Sequence, residues 1–229
     1  MVPQNWFQYS TRRPFAVFGY RGNLDTEDHW EVPMARLTRQ EAQALTRETL
    51  LATAVEHFLD RGYAAASLDQ IAEDAGYSKG AVYSNFKNKD ELCAEVLGRI
   101  RLTKVGEITA QLGAKSTLDD AVAEFARWAE RTIGDQRWTL LEVEFSVRSR
   151  HSEDIREKIA AGADQVRGLI AGLVQHLTES NGVTPTLDPD AAALRMLSVG
   201  IGLGLQRAIS PELPVDPLVD TVREILSGG

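Results

Sequence analysis

Ser67-Leu-Asp-Gln-Ile-Ala-Glu-Asp-Ala-Gly-Tyr-Ser78-Lys-Gly-Ala-Val-Tyr-Ser-Asn-Phe-Lys-Asn-Lys89-Asp-Glu-Leu92 reads as two short helices joined by a glycine-centred turn. Ser67 has the chemistry of an N-cap, and Gln70 three residues on completes a capping-box pattern. Leu68, Ile71, Ala72 and Ala75 recur at helical spacing, which gives the first helix one apolar face. Gly76 ends it, because glycine takes the left-handed backbone that a tight C-cap requires. Ser78 can cap the second helix. Val82 and Phe86, four apart, pin that helix to a core, and Lys79, Tyr83, Ser84, Asn85 and Lys87 are left outside. A short helix with a packed back and a polar, lightly basic front is what a helix-turn-helix presents to the major groove.

The run from Gly76 to Leu92 resembles the DNA-binding signature of the TetR/AcrR family of bacterial transcriptional regulators, most specifically in Tyr83-x-x-Phe86-x-x-Lys89. The preceding helix, Thr49 to Tyr63, and the link Ala64-Ala65-Ala66-Ser67-Leu68 agree, so the likeness covers residues 46 to about 97. The resemblance implies an all-α chain with an N-terminal three-helix DNA-binding domain and a larger C-terminal helical domain for ligand binding and dimerisation. It also implies a homodimer through the last two helices, a palindromic operator in double-stranded DNA, and a small-molecule inducer whose binding moves helix four. Repression is the mode the family favours. The alternatives are an activator or a helical interaction protein using the same motif; an enzyme ranks well below both.

The chain has 229 residues, of which 43% are hydrophobic, enough to bury a substantial core. Its net charge of −8 excludes a globally basic nucleic-acid coat, but the charge is uneven. Residues 34–90 carry seven Lys/Arg against eight Asp/Glu, whereas residues 91–229 carry fifteen against twenty-one. A local basic face in the near-neutral part can supply phosphate contacts while the acidic remainder limits nonspecific adhesion. The single cysteine, Cys93, excludes an intrachain disulfide and suits a reducing cytosol. Beside Leu92 and Val96 it reads as a small buried hydrophobe rather than a redox sensor. No run of about 18 apolar residues exists to cross a membrane, and Phe15 to Tyr20 is too short for a signal peptide. A cytoplasmic location is expected, with no cofactor or metal.

Three segments are expected. Residues 1–36 form an irregular or disordered extension; the first 33 hold seven of the sixteen aromatics, show no helical or strand period, and read as an upstream addition before Met34. Residues 37–97 form the helix-turn-helix domain and 98–229 the ligand-binding and dimerisation domain. Helix one starts near Thr38 or Thr46, ends at Gly62, and carries Leu50, Leu51, Ala54, Val55, Phe58 and Leu59 as one stripe. Helix four runs from Asn88, with Glu91 at the capping-box position, to Gly113. Helix five follows Thr117, with Leu118, Val122, Phe125, Trp128 and Ile133 inside, and breaks at Gly134-Asp135. The next runs from about Trp138 to Ser149. Ser152 caps a long helix whose Ile159, Ala163, Val166, Ile170, Leu173 and Leu177 form a bundle seam, ended by Asn181-Gly182. Asp188-Pro189 and Asp216-Pro217 open the last two helices with proline at the first helical position. That makes about nine helices, bridged between the two domains by helix four.

Phosphates fix register and base edges carry sequence. The first turn of the recognition helix must therefore do the reading: Lys79 can reach a guanine edge, Gly80 permits close approach, and the Ala81 methyl can meet a thymine methyl. By resemblance, Tyr83, Asn85 and Lys89 hold phosphates. Lys87 lies near the same backbone, with Ser67, Ser78, Ser84 and Arg47 as flanking contacts, and Arg36 and Arg39 as an arm toward the minor groove. Gly200, Gly202 and Gly204 would let helices approach closely in a dimer. Phe125, Trp128, Trp138, Glu142, Phe145 and Met196 are pocket candidates, with Arg148 as a further orienting charge. Glu142 and Glu144 occupy different faces of a short helix, so at most one is expected to point inward. His29, His57, His151 and His176 sit in no hydrolase, zinc or redox motif, and His57 beside Phe58 is expected to be structural.

Overall fold

The computed structural model describes residues 38–113 and 117–227. The expected extension and Arg36 lie outside the described residues. Nine α-helices are present among those described: α1 Arg39–Ala65, α2 Leu68–Asp74, α3 Lys79–Asn85, α4 Lys89–Gly113, α5 Leu118–Thr132, α6 Gln136–Arg148, α7 Glu153–Ser180, α8 Pro189–Ile209 and α9 Asp216–Leu226.

Local chemistry sets most of these ends. Thr38 and Glu41 form a reciprocal capping box at the start of α1. Gly62, at φ +74°, breaks the helix, and one further turn follows. Gly76, at φ +76°, closes α2 in a Schellman arrangement: its N–H bonds the Glu73 carbonyl and the Tyr77 N–H bonds that of Ala72. Ser78, Thr117, Asp135, Ser152 and Asp188 each cap the helix that follows by accepting a backbone N–H.

Three expected caps differ. Ser67 occupies the N-cap of α2 but its side chain accepts no bond, and the Gln70 side-chain oxygen, expected to accept from the Ser67 N–H, accepts from Arg61 on α1 instead. Asn88 caps α4 through its side chain, yet Glu91 reaches one residue further back, to the Lys87 N–H. Asp216 is already inside α9, so that helix starts one residue earlier in register than α8 does relative to its Asp-Pro pair.

Two cores result. One joins Leu50, Ala54 and Phe58 of α1, Ile71 of α2, Val82 and Phe86 at α3, and Leu92, Cys93, Val96 and Leu97 of α4. It also takes in Leu141 and Phe145 of α6 and Ile155 of α7. The other holds Ile108 and Leu112 of α4 with apolar residues of α5, α7, α8 and α9. Helix α4 thus runs through both, as a bridge. Burying this apolar area is the main favourable contribution to each region. A buried arginine, Arg207, fastens the second region: it donates to the Ile133 carbonyl at 2.9 Å, to the Leu213 carbonyl, and to Glu130.

The two glycine-bearing faces of α8 behave differently from the expectation. Gly204 is buried against the α5–α6 turn at Gly134, and Gly200 faces Leu218 of α9, so both are used within the chain. Only Gly202 of the three opens outward. On α7 the seam is interrupted at Ala163, which is exposed, where the Arg101 guanidinium lies over Gly162. No described helix is long and apolar enough to cross a membrane.

Candidate nucleic-acid interface

The α2–α3 pair stands on the first core with its polar side outward. Val82 and Phe86 are buried, and His57 of α1 bonds Asp74 of α2 at 2.8 Å, tying the two helices together as a structural histidine. On the outer side Lys79, Gly80, Tyr83, Ser84 and Lys87 are exposed; Tyr83 keeps 51% of its surface open, which rules out a core role for it. Ser78 and Ala81 lie at the same helix start, with the Ser78 hydroxyl accepting the Ala81 N–H at 3.3 Å.

Several of the anticipated contacts already have partners in the chain. Lys79 Nζ bonds Asp69 of α2 at 2.8 Å, which raises the lysine pKa. Arg47 makes a two-pronged pair with Glu95 of α4, 2.6 Å on each prong, and lies 4.5 Å above the Phe86 ring. The hydrogen bonds to Glu95 hold its pKa above the ordinary value. Arg47 therefore fixes α1 to α4 instead of projecting freely toward a phosphate. Lys89 donates to the Ala64 carbonyl at 3.0 Å and sits 4.6 Å from the Tyr63 ring centre; burial lowers its pKa. Asn85 turns its amide back onto the Ala81 carbonyl at 2.8 Å, as a turn-closing residue. Ser84 donates to the same carbonyl. Ser67 is exposed and Arg39 lies in the exposed first turn of α1. Lys87 makes no ion pair with the described residues, although its backbone N–H bonds Glu91.

A second polar cluster behind this face had no sequence signal. Tyr63, just past the Gly62 break, donates its hydroxyl to Asp90 of α4 at 2.5 Å, stacks parallel to the Phe58 ring and meets the Phe145 ring at a tilt. Glu144 of α6 accepts the backbone N–H groups of Tyr63 and Ala64 at 2.7 and 2.8 Å. Arg148 of α6 reaches Asp90 and lies over the Tyr63 ring. Desolvation, then the bond to Asp90, pushes the Tyr63 hydroxyl up to about 12. The partners come from segments 27 to 81 positions apart, which no local pattern could pair. Cys93 is fully buried and its thiol is driven far up by desolvation, as an inert core residue.

The six pocket candidates do not converge. Phe125 and Trp128 pack together in the second core, with Met196 at its edge, while Phe145 and Trp138 belong to the first. Glu142 accepts from Arg101 of α4 at 2.7 Å and from the Trp138 indole at 3.0 Å, so its charge is already matched. Helical spacing marked these residues as buried but carried no information on which core they join. Glu142 and Glu144 both turn toward the protein, against the expectation that only one does, because α6 lies between α4 and the end of α1.

Residues 50–96 match the family described as bacterial regulatory proteins, tetR family, and residues 114–228 match the C-terminal region described as that of a BetI-type transcriptional repressor. The chain is a helix-turn-helix transcriptional regulator, and it belongs to the TetR family. It is similar to the regulator AcrR of Shigella flexneri, 39% identical over 36% of this chain and 37% of that one. It is also similar to the transcriptional activator FasR of Mycolicibacterium smegmatis, 48% identical over 28% and 27% of the two chains. The matches thus span only 37% and 27% of these two relatives' length. Among solved structures, the regulator FadR from Bacillus subtilis in complex with stearoyl-CoA superposes with a TM-score of 0.58 at 18% identity, over 80% of this chain and 98% of that one. At that identity the likeness establishes the fold alone.

Proposed function

We propose that this regulator is a ligand-responsive repressor that holds a palindromic operator as a homodimer and is released by a small-molecule inducer. The observation that carries the reading is α3. Its back is buried through Val82 and Phe86, its start is capped by Ser78, and its front exposes Lys79, Gly80, Tyr83, Ser84 and Lys87. Residues 37–97 act as the reading domain and 98–229 as the ligand and dimer domain. Lys79 and Ala81 read base edges; Tyr83 and Lys87 hold phosphates, joined by Lys89 once it leaves the Ala64 carbonyl.

One such head covers too few base pairs for selectivity among the sites of a genome. The surface of α8 supports a second copy. Leu194, Ile201, Leu205 and Ile209 line up outward, with Ile201 71% and Ile209 76% exposed. Beside them lies a largely apolar groove of about 450 Å³, bordered by Val199, Gly202, Leu203, Leu213, Pro214 and Pro217. The apolar side of α9 is buried within the chain, so α8 supplies most of the contact. An apolar stripe beside an apolar groove on one face suits the self-complementary surface of a two-fold dimer. In this reading the inducer sits near Phe125 and Trp128, where the buried Trp128 indole N–H has no partner among the described residues and would be satisfied by an acceptor on the ligand.

A similar regulator, FasR, is named a transcriptional activator, so activation through the same helix-turn-helix is the second reading. Selection of bound fragments from genomic DNA, followed by footprinting, tests the reading. It requires a palindrome whose half-sites lie about one helical turn, 34–36 Å, apart. A reporter driven by the recovered promoter should be less active with the protein than without it. Failure to enrich any fragment would remove the proposal, and increased reporter output would make the protein an activator.

A further inference from the structure

We infer that Asp69, on the helix preceding the recognition helix, sets the sequence specificity of the DNA-reading face by controlling where the Lys79 ammonium can bind. This rests on the proposed function, in which α3 enters the major groove. Asp69 Oδ2 lies 2.8 Å from Lys79 Nζ, and the two side chains are 60% and 58% exposed. The pair is therefore on open surface, where packing does not demand it. It lies across the α2–α3 turn, which Gly76 and Ser78 hold in one geometry.

The other cations of this face are arranged differently. Arg47 is locked to Glu95, and Lys89 is partly buried against Ala64 and Tyr63. Lys87 makes no ion pair with the described residues. Among the described residues Lys87 thus has no ion-paired carboxylate on its ammonium, whereas Lys79 carries one with it. A phosphate that draws on Lys79 must approach Asp69 and is repelled by it. A guanine edge presents two acceptors, N7 and O6, and no formal charge, so it can take the ammonium without that repulsion. An exposed ion pair is weak enough to open for such an exchange. Asp69 acts as a positioning residue: it need touch no base, yet it penalises sequence-blind binding more than operator binding.

The test uses the full-length protein with Asp69→Asn, Lys79→Ala and the double variant. Affinity is measured against salt concentration on the selected operator and on a random duplex of equal length. Asp69→Asn should raise affinity for the random duplex about threefold to tenfold and steepen its salt slope by about 0.9, one further phosphate. The operator-to-random ratio should fall about tenfold. In the Lys79→Ala background the same substitution should change affinity by less than about twofold. Equal gains in both backgrounds would mean simple removal of a negative charge and would overturn the inference, as would an unchanged ratio. If the wild type binds neither duplex, the proposed function itself fails, and that is seen in the wild-type arm alone.

Discussion

The region around α2 and α3 and the region around α8 use glycine, apolar spacing and capping in similar ways in the sequence, yet the chain treats them differently. In the first, each signal acts within a few residues. Gly76 closes α2, Ser78 opens α3, and Val82 with Phe86 fills the core beneath. In the second, the meaning of a signal depends on what lies opposite. Gly200 and Gly204 meet α9 and the α5–α6 turn, and Leu194, Ile201 and Leu205 are not core at all. Motifs that complete themselves locally can be read from sequence; faces that complete themselves against distant helices cannot.

The sharpest challenge to that division concerns α6, which belongs to the C-terminal half in sequence but to the first core in space. Phe145→Ala removes a fully buried ring from beneath the reading head. It should cost about 3–5 kcal/mol, as much as Phe58→Ala on α1. Urea unfolding of both variants checks this, and a Phe145 variant within 1 kcal/mol of wild type would detach α6 from the head. Next in size is Glu144→Ala, which strips the carboxylate from the Tyr63 and Ala64 N–H groups. A loss of about 2 kcal/mol is expected from two charge-assisted bonds, and hydrogen exchange at those two amides should quicken.

Ser78→Ala should cost about 1 kcal/mol because its hydroxyl accepts a helix N–H. Ser67→Ala, at a cap position whose side chain makes no such bond, should stay within about 0.5 kcal/mol. Thermal unfolding of the pair distinguishes a used cap from an unused one. The last prediction concerns pH. Tyr63 titrates at about 12 in the fold against 10.0 in the open chain. The unfolded chain therefore loses that proton first, so this contribution is fully present below pH 10 and declines as pH rises toward 12. Tyr63→Phe should flatten that part of the alkaline decline in stability; an unaltered decline would place the hydroxyl in water.

Much of the fold was legible. The stripe on α1, the Gly62 and Gly76 stops, the bridging α4 and the long α7 follow from period and capping, because these are backbone rules with short reach. The missing capping-box bond from Gln70 was not legible, since its side chain accepts from Arg61 across the α1–α2 packing. The face of α3 was readable as exposed, but the pairing of Lys79 with Asp69, of Arg47 with Glu95 and of Lys89 with Ala64 was not. Each depends on where a neighbouring helix crosses. The pocket candidates divide between the two cores for the same reason: aromatic spacing marks burial without saying in which core.

That α3 reads base edges through its first turn is tested most directly by comparing the DNA sequences enriched by the wild type and by Lys79→Ala from one random pool. The two consensus sequences should differ at one symmetry-related position in each half-site, with the remaining positions retained. Identical consensus sequences, or no enrichment by the wild type, would contradict it.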